Sequence, residues 1–179
     1  MPNTSVTLSG LDELLGRISR LPMEAKEEVH YEVIDFVQRV SAIQKRKARK
    51  DQGGMVRGIG YTDHSSGLNV NIEMFANSEQ SGYIEFGTKR KVDHAYIAKY
   101  GLQDVALAMK GPGIKSKLGP KEAIYAWCKR KSIEEKYWFV IFVHIMIYGI
   151  SPKPFFYEPF FTEQGKLISN IEKIINENR

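Results

Sequence analysis

Histidine side chains bind metal ions and transfer protons, so their positions are the first guide to chemistry in this sequence. The four histidines stand far apart in the chain, at His30, His64, His94 and His144. No two are three or four residues apart, the spacing that places two imidazoles on one helical face as zinc ligands. The pattern predicts no bound metal.

The stretch "GPGIKS", at residues 111–116, is faintly like a phosphate-binding loop. Such a loop carries glycine immediately before its lysine, whereas Ile114 precedes Lys115 here. A serine nucleophile would need a frame such as GxSxG, which the sequence lacks. Cys128 stands alone, and a lone cysteine on a helix is more often a packing residue than a nucleophile. The sequence predicts neither an enzyme nor a bound cofactor.

The composition bounds the size of the core and the kind of partner. Of the 179 residues, 42% are apolar and 11% aromatic, which is enough for the core of a single domain spanning 1–179. The 26 Lys and Arg residues outnumber the 21 Asp and Glu residues, giving a net charge of +5. This excess permits contact with nucleic acid without requiring it.

The sequence also bears on the compartment of the protein. A single cysteine excludes an intramolecular disulfide bond and fits a reducing, intracellular environment. The first ten residues lack the basic and apolar regions of a signal peptide, so we expect no secretion. The apolar run from Tyr137 to Ile150 holds 14 residues, fewer than the roughly 20 that cross a bilayer. It predicts a buried segment or an interface rather than a membrane anchor.

Helical spacing of apolar residues predicts two helices over residues 1–50. The first extends from Ser9 to Pro22. The second extends from Met23 to Lys50 and carries an apolar stripe that includes Val33 and Val40. Its last residues are cations, which lie where the helix dipole favours positive charge.

After residue 52 the apolar period changes from 3.6 to 2, which indicates strands. The alternation is weak in "MVRGIGYT" and clear in "LNVNIEM". It returns in "YIEF", where Ile84 and Phe86 would face the core while Glu85 would face outward. We expect a β-meander over residues 55–88, packed on the long helix.

The rest of the chain predicts further helices. Residues 89–148 form a basic insertion, with one helix beginning at Pro120 and another ending at Gly149. Residues 149–179 combine an irregular Pro/Phe segment with a C-terminal helix from Phe161. The predicted fold class is α+β, with a small antiparallel β-sheet packed against a long N-terminal helix and further helices in the middle and at the C-terminus.

Two clusters of basic residues are candidates for contact with a polyanion. One ends the long helix and the other follows "YIEFGT". Each is also explained as a solvated surface, but two clusters bordering one cavity would follow a nucleic-acid backbone by charge alone. The DNA-facing candidates are Lys45, Arg46, Lys47, Arg49, Lys50, Lys89, Arg90 and Lys91.

The segment "PKPFFYEPFF" carries five aromatic side chains among three prolines. Proline reduces the entropy that such a segment loses when it becomes ordered. The segment either packs over the protein's own core or inserts as a rigid plug into a neighbouring chain, and both interpretations stay open.

Four motifs follow one another along the chain. They are "GLDELLGRISRLP" at 10–22, "DQGGMVRGI" at 51–59, "SGYIEFGT" at 81–88 and "GISPKPFFYEP" at 149–159. In this order they resemble motifs of the head-to-tail joining proteins of long-tailed bacteriophages, known as neck, tail-completion or minor tail proteins. Gln52 stands where that family usually has threonine, and Phe160 where it usually has a small residue.

The resemblance implies a structural protein that forms a ring of six or twelve copies in the virion neck, after synthesis in the host cytoplasm. The ring would join the portal, connector or head-closure protein to the tail-tube or tail-terminator protein, let double-stranded DNA pass, and involve no membrane. The candidate interface residues are Tyr83, Glu85, Gly87, Thr88, Pro154, Phe155, Phe156, Tyr157 and Phe160. An outward Glu85 would pair with a neighbour's cation, so Glu85→Lys would impair ring formation in a folded monomer.

Two other functions fit the same sequence. A basic nucleic-acid-binding domain would use the cations at residues 45–50 as phosphate contacts, with strongly salt-sensitive affinity. A small ribonuclease-type toxin would need a cluster of His, Arg and Tyr in one cleft, and His94 or His144 would be its candidate catalytic residue.

Overall fold

The computed structural model describes residues 16–48, 53–66, 70–78, 80–108 and 120–178. Within these ranges the fold is mixed α+β with a long N-terminal helix and one two-stranded antiparallel sheet, so the predicted fold class is confirmed. The helices longer than five residues are α1 (Met23–Lys47), α3 (Ser81–Phe86), α4 (His94–Lys99), α5 (Gln103–Ala108), α6 (Pro120–Arg130), α7 (Trp138–Tyr148) and α8 (Tyr157–Glu177). The remaining elements are α2 (Gly54–Gly58), β1 (Ile59–Asp63), β2 (Ile72–Ala76) and two short 3₁₀ turns, Lys89–Lys91 and Glu135–Tyr137.

The chain divides into two compact units. One consists of Met1–Ser78 together with Phe155–Arg179, and the other of Glu79–Pro154. The expectation of one domain over 1–179 stays a prediction.

The first unit is built on the packing of α1 against α8. Helix α1 contains no glycine or proline over its 25 residues, and the three cations of its last turn, Lys45, Arg46 and Lys47, complement the helix dipole. One core cluster joins Val29 of α1 to Ile171 and Ile175 of α8. The long helix predicted from Met23 is therefore confirmed, and it ends at Lys47 within the described residues. Of the first predicted helix, residues 16–18 are helical and 9–15 lie outside the described residues.

The sheet lies against the middle of the same long helix. A second core cluster contains Phe36, Val37 and Val40 of α1, with Ile72 and Met74 of β2 packed against it. Strands β1 and β2 are antiparallel, and their register places Ile59 opposite Ala76 and Tyr61 opposite Met74. The first strand begins only at Ile59 because residues 54–58 form a helical turn.

The third predicted strand, "YIEF", is wrong because residues 81–86 form helix α3. The amide of Ile84 donates to the carbonyl of Gln80 (3.1 Å), and the amide of Gly87 donates to that of Tyr83 (3.0 Å). Four alternating residues are too few to separate a period of 2 from one of 3.6. A helical turn also buries the neighbours Ile84, Glu85 and Phe86 together, which a strand would not do.

The second unit begins with α3 and ends with the segment after α7. Asp93 caps α4, since its carboxylate accepts a hydrogen bond from the amide of Tyr96 (2.9 Å). Helices α6 and α7 pack together, with the rings of Tyr125 and Trp138 in edge contact at 5.4 Å. The helix predicted to begin at Pro120 and the one predicted to end at Gly149 are confirmed, while residues 109–119 lie outside the described residues.

The last helix begins earlier than predicted, at Tyr157 instead of Phe161. Pro159 stands third in this helix, and proline is tolerated in the first turn because the amides there have no partner within the helix. The Pro/Phe segment is therefore irregular only up to Phe156.

Candidate interaction surfaces

Two of the sequence motifs, "YIEFGT" and "GISPKP", are hydrogen-bonded to each other in the second unit. The amide of Thr88 donates to the carbonyl of Ile150 (3.0 Å), and the amide of Ile150 donates to the hydroxyl of Thr88 (2.8 Å). The amide of Lys153 donates to the carbonyl of Ile84 (2.6 Å). Residues about sixty positions apart in sequence thus form one small framework at the ends of α3 and α7.

Glycines make this framework possible. Gly87 and Gly149 both have positive φ, 77° and 91° respectively, a conformation that side chains rarely adopt. A Cβ at Gly149 would overlap the carbonyl oxygen of Thr88, and one at Gly87 would overlap that of Lys91 and lie only 3.1 Å from that of Ile150. The glycine in "FGT" and the one before "ISPKP" therefore allow two backbone segments to approach each other closely.

Glu85, predicted to face outward, is instead buried with 2% of its surface exposed. One of its carboxylate oxygens accepts a hydrogen bond of 2.5 Å from the hydroxyl of Tyr96. The outward orientation is wrong because the segment is helical and turns this side chain toward α4. Its neighbours in the predicted interface, Tyr83 and Thr88, are half-buried, and Gly87 is buried.

The aromatic segment contributes to the protein's own core in the first unit. Phe155 and Tyr157 are buried, and the ring of Phe160 meets that of Phe36 edge-on at 5.5 Å. The side-chain amide of Gln44 donates to the carbonyl of Phe156 (2.8 Å). The burial of these rings corresponds to the intramolecular interpretation of the segment. Pro154, Phe156 and Phe160 are half-buried, and their predicted interface role stays a prediction.

The two basic clusters differ in their surroundings. In the first cluster, Lys45 and Arg46 are exposed, and Lys47 forms an ion pair with Glu158 (2.7 Å). The last two residues of this cluster, Arg49 and Lys50, lie outside the described residues. This cluster belongs to one compact unit and Lys89–Lys91 to the other. Contact of either cluster with DNA stays a prediction.

The second basic cluster lies beside helix α7. The ammonium group of Lys89 donates to the carbonyl of Met146, and that of Lys91 lies 3.4 Å from Nε2 of His144. Arg90, between them, is exposed. Two of the three cations, Lys89 and Lys91, therefore contact the C-terminal half of α7.

Helix α7 exposes an apolar face that the sequence interpretation missed. The helix has no charged residue, and the side chains of Phe139, Val140 and Ile147 are 54%, 65% and 50% exposed. We expected this run to be wholly buried or to form an interface, and full burial is wrong. Because the helix is apolar on all sides, its sequence does not indicate which side the rest of the fold leaves exposed to solvent.

One titratable group has a shifted pKa, and no metal-binding cluster is present among the residues that the structure describes. In the described ranges, no three His, Cys, Asp or Glu side chains lie together as ligands for a metal ion. Cys128 is buried in α6. Hydrogen bonds from the hydroxyl and the amide of Ser65, with the nearby charge of His30, lower the pKa of Asp63 below its ordinary value of 3.8.

Across the part of the chain that the structure describes, no helix combines the length and the apolar character needed to span a membrane. Comparisons with known protein families, with curated proteins and with solved structures return no match for this chain. The class of protein that the observations define is an α+β protein with an exposed apolar helix.

Proposed function

We propose that this protein is a structural component of the neck of a long-tailed bacteriophage, where copies of it form a ring between the head connector and the tail. The exposed apolar face of α7 is the observation that carries the proposal. Monomeric proteins rarely leave a contiguous apolar patch uncovered, and an interaction surface is its usual explanation. A protein whose role is to join other proteins needs such surfaces more than it needs a cleft.

The resemblance of the four motifs to head-to-tail joining proteins supports the same function. Two of these motifs are hydrogen-bonded to each other through Thr88 and Ile150, so they serve one structural purpose. Gly87 and Gly149 allow that contact, which gives a physical reason for glycine in both motifs. A head-to-tail ring requires two different surfaces that repeat about an axis, and the chain exposes both the apolar side chains of α7 and the cations Lys45 and Arg46 of α1.

The proposal is tested in phage particles. A phage lacking the gene should accumulate full heads and separate tails, and the protein supplied from a plasmid should restore joined particles. Electron microscopy of purified virions should show a ring of density at the neck that a fused tag enlarges. Joined, infectious particles made without the protein would exclude a neck function.

Nucleic-acid binding is the second candidate, favoured by the exposed Lys45 and Arg46 at the end of α1. Duplex DNA bound by phosphate contacts alone would lose affinity steeply with salt, with a slope set by the number of contacts. Filter binding of the isolated protein from 50 to 200 mM salt distinguishes this function. The ribonuclease-type toxin stays a third hypothesis, and an unaltered protein without nuclease activity would exclude it.

A further inference from the structure

We propose that the apolar face of α7, with the basic turn Lys89–Lys91 beside it, binds the acidic N-terminal half of α1 in a second copy of this chain. The inference rests on the proposed ring and names the two surfaces that meet in it. We call these surfaces the α7 face and the α1 acidic face.

The α7 face supplies apolar anchors bordered by positive charge. Phe139, Val140 and Ile147 project into solvent, and burial of such side chains is the main source of affinity in protein contacts. Lys89 and Lys91 are held against the helix by their contacts with Met146 and His144. A partner must therefore present apolar side chains among acidic ones.

The α1 acidic face has this composition. All five acidic residues of α1 lie in its first 13 positions, whereas four of its five Lys and Arg residues lie in its last nine. Glu24, Glu27 and Glu28 are exposed. Met23 and Tyr31 are 56% and 71% exposed among them, so the face also carries apolar side chains.

The helix dipole explains only part of this charge pattern. It favours acidic residues within the first turn, and in α1 that turn contains Glu24 alone. Glu27 and Glu28 lie beyond it, beside the exposed ring of Tyr31. A surface that combines acidic and apolar side chains complements the α7 face in both respects, and opposite charges fix the register of such contacts.

Because the two surfaces differ, the contact is heterologous, and each copy offers one of each. An 11-residue helix is about 16 Å long, so a single α7 face buries less than the roughly 800 Å² per partner of a stable contact. Association of two copies in solution should be weak and should strengthen when a ring closes.

Charge reversal tests the pairing in the full-length protein. Variant A carries Arg90→Glu and Lys91→Glu, and variant B carries Glu27→Lys and Glu28→Lys. In variant A the border of the α7 face becomes acidic like the α1 acidic face, and in variant B the α1 acidic face becomes basic like the border of the α7 face. The two surfaces of each variant therefore repel, and each variant alone should associate about tenfold more weakly than the unaltered protein in sedimentation equilibrium. In an equimolar mixture every A–B contact is complementary again, and association should return.

Glu172→Lys, an exposed change on α8, is the matched control and should associate as the unaltered protein does. Circular dichroism checks that A and B are folded. If A is unfolded, the neutral double variant Arg90→Gln with Lys91→Gln replaces it, and if B is unfolded, Glu27→Gln with Glu28→Gln replaces it. These should associate more weakly than the unaltered protein. Three results would each overturn the inference. The unaltered protein could stay monomeric up to its solubility limit, A or B alone could associate as strongly as the unaltered protein, or the folded mixture of A and B could fail to associate.

The outcomes also separate this inference from the proposed function. A mixture that regains association, in a protein absent from the phage neck, would support the contact and exclude the neck function. Normal particles assembled from A alone would support the neck function and exclude the contact.

Discussion

The hydroxyl of Tyr96 donates a 2.5 Å hydrogen bond to a carboxylate oxygen of Glu85, and both side chains are buried. This bond links α3, which carries the "YIEF" motif, to α4. The ring of Tyr96 also packs edge-on against that of Tyr100, with centroids 5.2 Å apart. The glutamate of the motif therefore has an internal structural partner.

Tyr96→Phe should lower the free energy of unfolding by about 1–3 kcal/mol, because it removes a hydrogen bond to a buried polar group while keeping the ring. Urea denaturation measures the change. Tyr31→Phe is the control, since its ring is exposed and its hydroxyl should contribute less than about 0.5 kcal/mol. Equal stabilities for the two variants would contradict a structural role for the bond.

The same geometry changes the expected effect of Glu85→Lys. An outward glutamate would permit this change in a folded monomer, but the buried site would have to accommodate an ammonium group beside Tyr96. Loss of stability, seen as a lower midpoint of thermal unfolding, should therefore accompany any loss of assembly.

Gly149→Ala should destabilise the protein by more than about 1 kcal/mol, because the site combines positive φ with an overlap between the new Cβ and the carbonyl oxygen of Thr88. Gly165→Ala is the opposite case, since Gly165 lies inside helix α8 with nothing close to its added methyl group. That change should stabilise the protein by about 0.5–1 kcal/mol. Urea denaturation of both variants gives the comparison, and a stabilising Gly149→Ala would count against the proposed close approach.

Sequence reasoning succeeded where a pattern was long and failed where it was short. The apolar stripe of α1 continues without glycine or proline, so its helix could be predicted to within a few residues. "YIEF" offered four residues, and its pairing with Lys153 depends on a segment far away in the chain. The length of the apolar run favoured a helix for α7 while its β-branched and aromatic content favoured a strand, and its exposed side depends on which elements the fold packs against it.

Asp63 should titrate below its ordinary pKa of 3.8, because the hydroxyl and the amide of Ser65 donate hydrogen bonds to its ionised form. A lowered folded-state pKa stabilises the protein at pH values above about 3.8, and this contribution is lost as the pH falls through the folded-state pKa. Ser65→Ala should raise the pKa of Asp63 toward 3.8, as followed by NMR of the side-chain carboxyl carbon. Ser169→Ala on α8 should leave it unchanged, and an unshifted Asp63 in Ser65→Ala would exclude the hydroxyl as the main cause.

Val140→Ser should weaken association without weakening the fold. Val140 lies on the exposed face of α7, so its loss should change the free energy of unfolding by less than about 0.5 kcal/mol. If a partner covers this face, the lost apolar burial should raise the dissociation constant about tenfold in sedimentation equilibrium.

Leu107→Ser is the matched control for this change, because Leu107 is an exposed apolar residue of the same compact unit but belongs to α5. Its replacement should leave the dissociation constant unchanged. If both substitutions raised the dissociation constant equally, the association would be general hydrophobic association. A specific contact through α7 predicts that Val140 contributes to the affinity and that Leu107, which is similarly exposed, does not.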